Sequence, residues 1–401
     1  MRNFPKVLVF VAEKELLPAG GPAAVCYYYN LEKQRRNDNF FSFLPNEKNS
    51  VSSYEAEANR LKNDNSISRI RYLLRTIIKY NLILGFYHSK VSVVDINDYD
   101  IIHFHDTMSL YRHRKQLKEF KGIVILQSHT PQPMAEEQYN VIPKSVKFWI
   151  PLLKKRLERV DRFAFNRADY IIFPCPEAEE PYLNRWPYFK HLKESRKNSF
   201  KYILTGIPAS SPKRNKEDVF KELNLPNDSF LVSYVGRHNE VKGYGDLKNI
   251  GKVFLESDEN AWFVCAGKEE PLKRLEHNRW IEVGWTKDAH SYISASDVFV
   301  LPNKETYFDI VMLEVLSLGK IVIASRTGGN KFFEKAGCKG VLLYDTIDEA
   351  VELLKKVSVM LPEERANLGK TNYEFYKAHN TVSAMYDQYI ATINRIYQEG
   401  K

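Results

Sequence analysis

The residues able to do chemistry are concentrated in the second half of the chain. Val235-Gly236-Arg237 closes an apolar, strand-like run, and Lys242-Gly243 follows after four residues. An arginine and a lysine presented at a strand end suit a diphosphate. The guanidinium bonds phosphate oxygens in a planar fork, and the ammonium acts as a point charge. Gly236 and Gly243 let the backbone approach a ligand closely. Further on, Glu314 lies on a helix-like stretch between two apolar runs, Val298–Leu301 and Ile321–Ala324. A carboxylate there can accept both hydroxyls of a ribose diol. Gly328-Gly329, after Ser325-Arg326-Thr327, forms a turn opening onto a helix, where backbone N–H groups can meet phosphate. Each feature has an ordinary reading as a turn or a solvated helix residue; the set, at these spacings, points to a nucleoside diphosphate.

The first half offers rings rather than charges. His103 and His105, at i and i+2 in Ile101–Asp106, share a strand face. A metal site is conceivable there, but no further ligands are evident, and no metal is expected. His129 ends the strand running through Gln127 and Ser128; its plain alternative is a hydrogen-bonded core histidine. Gly20 and Gly21 sit in a Pro18–Pro22 loop after the first strand, which an ordinary β–α turn would also explain. Asp98-Tyr99-Asp100 has an Asp-X-Asp metal-binding pattern, but it precedes its strand and reads as a turn.

Positioning these groups takes two sheets. Lys6–Ala12, Asn39–Leu44, Val91–Asp95, Ile101–His105, Ile123–Ser128, Asp169–Phe173 and Lys201–Thr205 are strand-like, with helical or turn-rich sequence between them. After Thr205–Lys213, the best linker candidate, the pattern restarts with Phe230–Val235, Ala261–Cys265, Trp280–Val283, Val298–Leu301, Ile321–Ala324 and Gly340–Leu343. Helices are expected near Ala23–Arg36, Asp246–Glu256, Asp288–Ala295 and Ile310–Leu318, the last stopped by Gly319. Short buried strands alternating with helices predict parallel sheets covered on both faces. The fold class is therefore α/β, two Rossmann-like doubly wound domains facing a cleft, spanning 1–207 and 208–379. The final segment, 380–401, carries a helical stripe (Val382, Met385, Tyr389, Ile393, Ile396) and is expected to pack back on the first domain.

The second half resembles the donor domain of family 4 retaining glycosyltransferases, which have the GT-B fold. Leu223-Asn224-Leu225-Pro226 leading to Ser233-Tyr234-Val235-Gly236-Arg237 and Lys242-Gly243 is similar to the family's diphosphate-binding entry. Phe263–Gly267, Val283-Gly284-Trp285, Ala295–Pro302, Leu313–Gly319 and Gly328-Gly329 follow in the family's order. The resemblance covers about Pro208 to Tyr344 strongly and the first half more loosely. It implies that Arg237 and Lys242 hold the diphosphate and stabilise its departure, that Glu314 holds the ribose, and that backbone around Val283–Trp285 faces the base. It also implies retention of anomeric configuration without a metal, with His129 beneath the reacting sugar and the Gly20-Gly21 loop and His105 on the acceptor or phosphate side. One departure stands out. The family has two glutamates separated by seven residues; counting back from Glu314, the first position is Thr306, with Glu305 one place early and Asp309 where the family has glycine. Glu305 or Asp309 could take the missing carboxylate's part.

Composition sets the surroundings. Among 401 residues, 44% are apolar and 27% charged, as in a folded soluble protein. Val7–Ala12 is strand-sized and is interrupted at once by charge, so neither a membrane span nor a secretory leader is expected. Four scattered cysteines without a CxxC pair indicate neither a disulfide framework nor zinc, and a cytoplasmic location is expected. Net charge is +9; residues 1–210 hold 33 Lys/Arg against 22 Asp/Glu, the remainder 26 against 28. No nucleic-acid motif accompanies the basic half. Ser66–Lys90 and Lys144–Arg167 combine cations with apolar residues and read as basic amphipathic helices that could lie on an anionic membrane surface, or as surface helices packed on their own domain.

These observations converge on a cytoplasmic glycosyltransferase, peripheral to the inner membrane face. It would move a sugar from a nucleotide-diphosphate sugar, UDP-sugar favoured, to a saccharide hydroxyl on an acceptor carried by a lipid. The rival is a catalytically inactive nucleotide-sugar-binding partner subunit, for which Thr306 is the motive.

Overall fold

Apolar β-rich runs build two sheets in the computed structural model, which describes residues 4–11, 16, 18, 21–45, 66–83 and 94–400. The first sheet holds β1 (Val7–Val11), β2 (Phe41–Pro45), β3 (Ile101–Phe104), β4 (Ile123–Gln127), β5 (Tyr170–Phe173) and β6 (Phe200–Tyr202), in the order β2-β1-β3-β4-β5-β6. The second holds β7 (Phe230–Val235), β8 (Ala261–Ala266), β9 (Trp280–Gly284), β10 (Val298–Leu301), β11 (Ile321–Ser325) and β12 (Val341–Tyr344), ordered β12-β11-β10-β7-β8-β9. Every pairing in both is parallel. β1, β3 and β10 are buried along their whole length, which is why they read as continuous apolar runs rather than alternating ones. In each sheet the strand order reverses once, between β1 and β3 and between β7 and β10. The crevice beyond the strand C-termini at such a point is where open α/β sheets take ligands.

The chain forms two compact units. The first comprises 1–173, 182–203 and 386–401; the second comprises 174–181 and 204–385. Segment 174–181 is thus a correction to the expected 1–207 boundary. It is tied to the second unit by charge, Glu177 pairing with Lys335 at 2.8 Å and Glu180 with Lys331. The terminal helix Val382–Glu399 buries Met385, Tyr389, Ile393 and Ile396, leaving Val382 partly exposed. In the first unit Tyr389 packs 4.6 Å from Tyr29 and 5.5 Å from Phe41, and Tyr386 donates to Asp38 at 2.8 Å.

Some expected elements change. Residues 91–93 of the expected strand Val91–Asp95 lie outside the described residues; Val94 is a bend, and Asp95 caps the 3-10 turn Ile96–Asp98 through the Asn97 N–H. Asp98-Tyr99-Asp100 is indeed a turn: Asp100 accepts from the Lys6 N–H at 2.7 Å and returns its own N–H to Lys6 O. Lys144–Arg167 is not one helix but two, Lys144–Lys147 and Leu153–Arg167. Pro151 lies between them; it lacks an N–H and disfavours helical backbone at Ile150. Gly319 ends Ile310–Ser317 in the left-handed region at φ +64°, the cap expected of it.

Candidate functional site

In the second unit the loops after β7, β10 and β11 meet. Beyond β7, the Tyr234 hydroxyl donates to Arg237 O at 3.0 Å and Asn239 Oδ1 accepts the Lys242 N–H at 2.9 Å, shaping the turn that carries both cations. Gly243, at φ +65°, starts the helix Tyr244–Ser257 directly against Pro302; a Cβ there would strike the Pro302 carbonyl. This contact brings the turn to the end of β10. Val241 O accepts the Lys304 N–H at 3.0 Å, and Lys242 Nζ reaches Asp309 Oδ2 at 2.5 Å. Gly328, at φ +44°, lies against the Thr306 carbonyl with equally little room for a side chain. Arg237, Lys242, Asp309, Thr306 and Gly328-Gly329 therefore form one constellation.

Its charges are unequal. Lys242, Lys304, Arg326 and Lys331 each face a carboxylate: Asp309, Asp246, Glu334 with Asp345, and Glu180. Arg237 is exposed and has no carboxylate partner among the described residues. Burial pushes the Asp309 carboxyl up, but the Lys242 charge and hydrogen bonds from Lys242, Asn303 and the Val311 N–H outweigh it and hold it below the usual range. Asp309 also caps the helix Ile310–Ser317. Its oxygens are thus committed to the protein, so it does not replace the missing glutamate at Thr306. Glu305 is half-buried and Thr306 buried.

Glu314 lies partly exposed on the same helix, its Oε1 3.5 Å from His290 Nε2. The Glu314 hydrogen bond raises the His290 pKa against the opposing effect of burial. His290, on the helix Ala289–Ala295, was not anticipated; no local pattern marks it. Trp285 follows β9 and is 72% exposed, a free aromatic face beside the sheet edge. Unanticipated too is His238, next to Arg237. It is buried and stacked on Tyr244 at 3.8 Å, with Glu282 Oε2 3.5 Å away. Burial lowers the His238 pKa and raises that of Glu282, whose Oε1 accepts from Trp280 Nε1 at 2.8 Å and from the Tyr244 hydroxyl. This packed cluster holds the backbone from which Arg237 projects. The Gly328 N–H is not open as expected: Glu180 Oε1 accepts it at 3.1 Å while Glu180 Oε2 meets Lys331. A carboxylate from 174–181 thus occupies an anion seat.

The first unit has a separate, uncharged cluster. His105 Nδ1 and His129 Nε2 are 2.8 Å apart with rings stacked at 4.9 Å, and His103 stacks on His105 at 4.3 Å. Tyr389 closes the chain, its hydroxyl 3.2 Å from His103 Nδ1. Burial pushes His103 and His129 down to about 3 and His105 well below its ordinary value, the neighbouring rings adding to the effect for His103 and His105. These rings are neutral at physiological pH. Among the described residues no three histidine, cysteine or acidic side chains converge as a metal-binding group. Gly21 begins the helix Gly21–Arg36; Gly20 lies outside the described residues.

Comparison with known proteins finds likenesses to part of the chain in sequence and to the whole of it in fold. Residues 215–375 match the family described as "Glycosyl transferases group 1". An Escherichia coli UDP-Gal:alpha-D-GlcNAc-diphosphoundecaprenol alpha-1,3-galactosyltransferase is 29% identical over 161 residues, 37% of this chain and 42% of that protein. The putative teichuronic acid biosynthesis glycosyltransferase TuaC of Bacillus subtilis is 28% identical over 181 residues, 43% of this chain and 45% of its own. The chain thus spans less than half of either relative. Among solved structures, sucrose-phosphate synthase of Thermosynechococcus elongatus superposes with TM-score 0.62 at 18% identity, over 98% of both chains. Anabaena Alr3699/HepE in complex with UDP gives 0.58 at 14% identity, over 97% of this chain and 100% of that one. Two six-stranded parallel sheets and these whole-chain superpositions give the chain the GT-B fold, and residues 215–375, which carry the β7–β10 site, match the group 1 glycosyltransferases.

Proposed function

We propose that the protein transfers a hexosyl group from a nucleotide-diphosphate sugar, UDP-sugar favoured, to a hydroxyl of a lipid-linked saccharide in bacterial surface polysaccharide synthesis. The observation that carries the reading is the exposed Arg237, without a carboxylate partner among the described residues, on the same turn as Lys242 at the β7–β10 switch point of the second unit. Arg237 and Lys242 take the diphosphate and offset the charge that grows as it leaves. Glu314 takes the ribose diol and Trp285 lies by the base. The acceptor hydroxyl oxygen bonds to the sugar's anomeric carbon on the face the diphosphate vacates. The carbon–phosphate-oxygen bond breaks, and the hydroxyl proton passes to the departing phosphate, so configuration is retained. His129, neutral, offers a hydrogen bond to the sugar. The named donor and carrier of the Escherichia coli relative, and the UDP bound in the Anabaena structure, support a UDP-sugar and a lipid carrier. The acceptor is met at the anionic inner face of the membrane.

Thr306 motivates a second reading, a partner subunit that binds nucleotide sugar without turning it over. One experiment separates the two. The purified chain is incubated with a panel of nucleotide sugars, with and without bacterial lipid extract, and nucleoside diphosphate release is measured. Acceptor-dependent release that survives EDTA is expected. No release from any donor favours the partner subunit; release abolished by EDTA and restored by Mg²⁺ or Mn²⁺ overturns the metal-free mechanism.

A further inference from the structure

In the first unit the helix Ser66–Ile83 carries apolar residues on two sides, one packed on its own unit and one facing away from it. Tyr72, Thr76 and Tyr80 are buried, and Tyr72 and Tyr80 pack with Ala135, Ile142, Val146 and Leu157. Ile70, Leu74 and Ile78, one turn apart, are 61%, 55% and 54% exposed. Exposed Arg71 and Arg75 lie along this stripe. A surface helix of a soluble protein keeps its apolar stripe inward. Here a second stripe, equally regular, remains outside.

A second exposed apolar element lies alongside. The turn between Lys144–Lys147 and Leu153–Arg167 presents Phe148 at 78%, Trp149 at 67% and Leu152 at 56% exposure. A groove of about 230 Å³ joins the two elements, with Ile77 and Tyr80 on one side and Trp149 and Leu152 on the other. The groove sets the exposed turn beside the helix that bears the outer stripe, an arrangement that marks an interaction site rather than scattered surface residues. The charges that flank the turn in sequence have one sign. Lys144, Lys147, Lys154, Lys155 and Arg156 flank the turn with no acid between them in sequence. Burial and the charges of Lys144 and Lys154 push the Lys147 ammonium below its ordinary value, showing how closely these cations crowd. The nearest acid in sequence, Glu158, lies one turn beyond on the second helix.

We infer that this face is a bilayer-docking surface: Phe148, Trp149 and Leu152, with Ile70, Leu74 and Ile78, enter the acyl boundary of an anionic membrane while the flanking lysines and arginines meet its headgroups. Apolar residues with an interfacial tryptophan, bordered by cations, are what an interfacial element requires. A protein partner would have to match both the apolar strip and five cations of one sign; an anionic bilayer matches both by its composition. The surface rests on, and gives a location to, the lipid-linked acceptor reading: it would hold the first unit where such an acceptor resides.

The test uses the full chain and vesicles of phosphatidylcholine, with or without phosphatidylglycerol. Sedimentation with the anionic vesicles only, weakened by salt, is expected. Phe148→Ser combined with Trp149→Ser should weaken binding at least about tenfold, the order expected when two buried side chains lose their apolar contact, and leave UDP affinity unchanged. Brominated lipid should quench the wild-type tryptophan emission; Trp149→Phe should bind as wild type does and lose that quenching. Equal binding by the double serine variant, or quenching unaffected by Trp149→Phe, overturns the surface. No vesicle binding at all also overturns it and leaves the face to a second copy of the chain. Vesicle binding is read without acceptor, so a failure to glycosylate any lipid-linked saccharide overturns the acceptor reading alone.

Discussion

The ends of the two sheets differ in electrostatic character. At the β7–β10 end of the second unit, Lys242, Lys304 and Lys331 each face one carboxylate, Arg326 faces two, and Arg237 faces none among the described residues. At the C-terminal ends of β3 and β4 in the first unit, His103, His105 and His129 form a ring stack that burial holds neutral. A diphosphate needs fixed charge, and a hexose needs donors and acceptors that do not repel or titrate. On the proposed function, the same open α/β framework would supply the first through strand-end turns and the second through stacked rings, a difference of local chemistry and not of topology.

Removing the charges should produce the largest effect. Lys242→Ala and Glu314→Ala are each expected to cut turnover by at least about a hundredfold, the scale of losing one partner of transition-state charge. Lys242→Ala should act mainly on kcat and Glu314→Ala mainly on KM for the donor. Near-normal rates in both would remove the charged half of the comparison.

The neutral half predicts a pH signature in stability. A histidine whose folded pKa lies far below its unfolded value takes up its proton only on unfolding, so its contribution is lost as pH falls from about 6.5 towards the folded pKa. His103 and His129, both at about 3 in the folded protein, should each lose on the order of 1 kcal/mol per pH unit below that point. Asp161, pushed up to about 7 by burial, works in the opposite sense, so the readout is a difference between variants. Replacing His129 by glutamine should make the fall in stability between pH 7.5 and 5.5 smaller by on the order of 1 kcal/mol. An unchanged pH dependence would mean that His129 is already charged or exposed.

His290 should show the smallest effect, with the opposite sign. Its raised pKa means that the contact with Glu314 stabilises fully below about 6.5 and fades as pH rises through the folded value. Both groups are partly exposed, so His290→Ala should cost no more than about 1 kcal/mol at pH 6 and less at pH 8. Equal costs at the two pH values would show that the pair is not an ionic one.

Much of this was legible in the sequence because the cause was local. Strand runs such as Val298–Leu301, the cap at Gly319 and the Gly236–Gly243 turn depend on residues a few positions apart. What sequence could not give depends on distant partners. Asp309 appears in sequence as a displaced donor carboxylate, yet Lys242, 67 residues away, claims it. Glu180 meets Gly328 across 148 residues, and nothing near either one announces the contact. His290 becomes notable only once its helix lies beside Glu314. The outward stripe of Ser66–Ile83 was visible as a mixture of apolar and basic residues, but periodicity alone does not say which face is covered.

The central claim is that the second unit holds a nucleoside diphosphate through Arg237, Lys242 and Glu314. Calorimetric titration of UDP into the wild type, Arg237→Ala, Lys242→Ala and Glu314→Ala tests it without needing the sugar or the acceptor. The account predicts saturable binding to the wild type and at least about tenfold weaker binding to each variant, the order of one lost charge-assisted hydrogen bond. UDP binding that is indifferent to all three substitutions would contradict it.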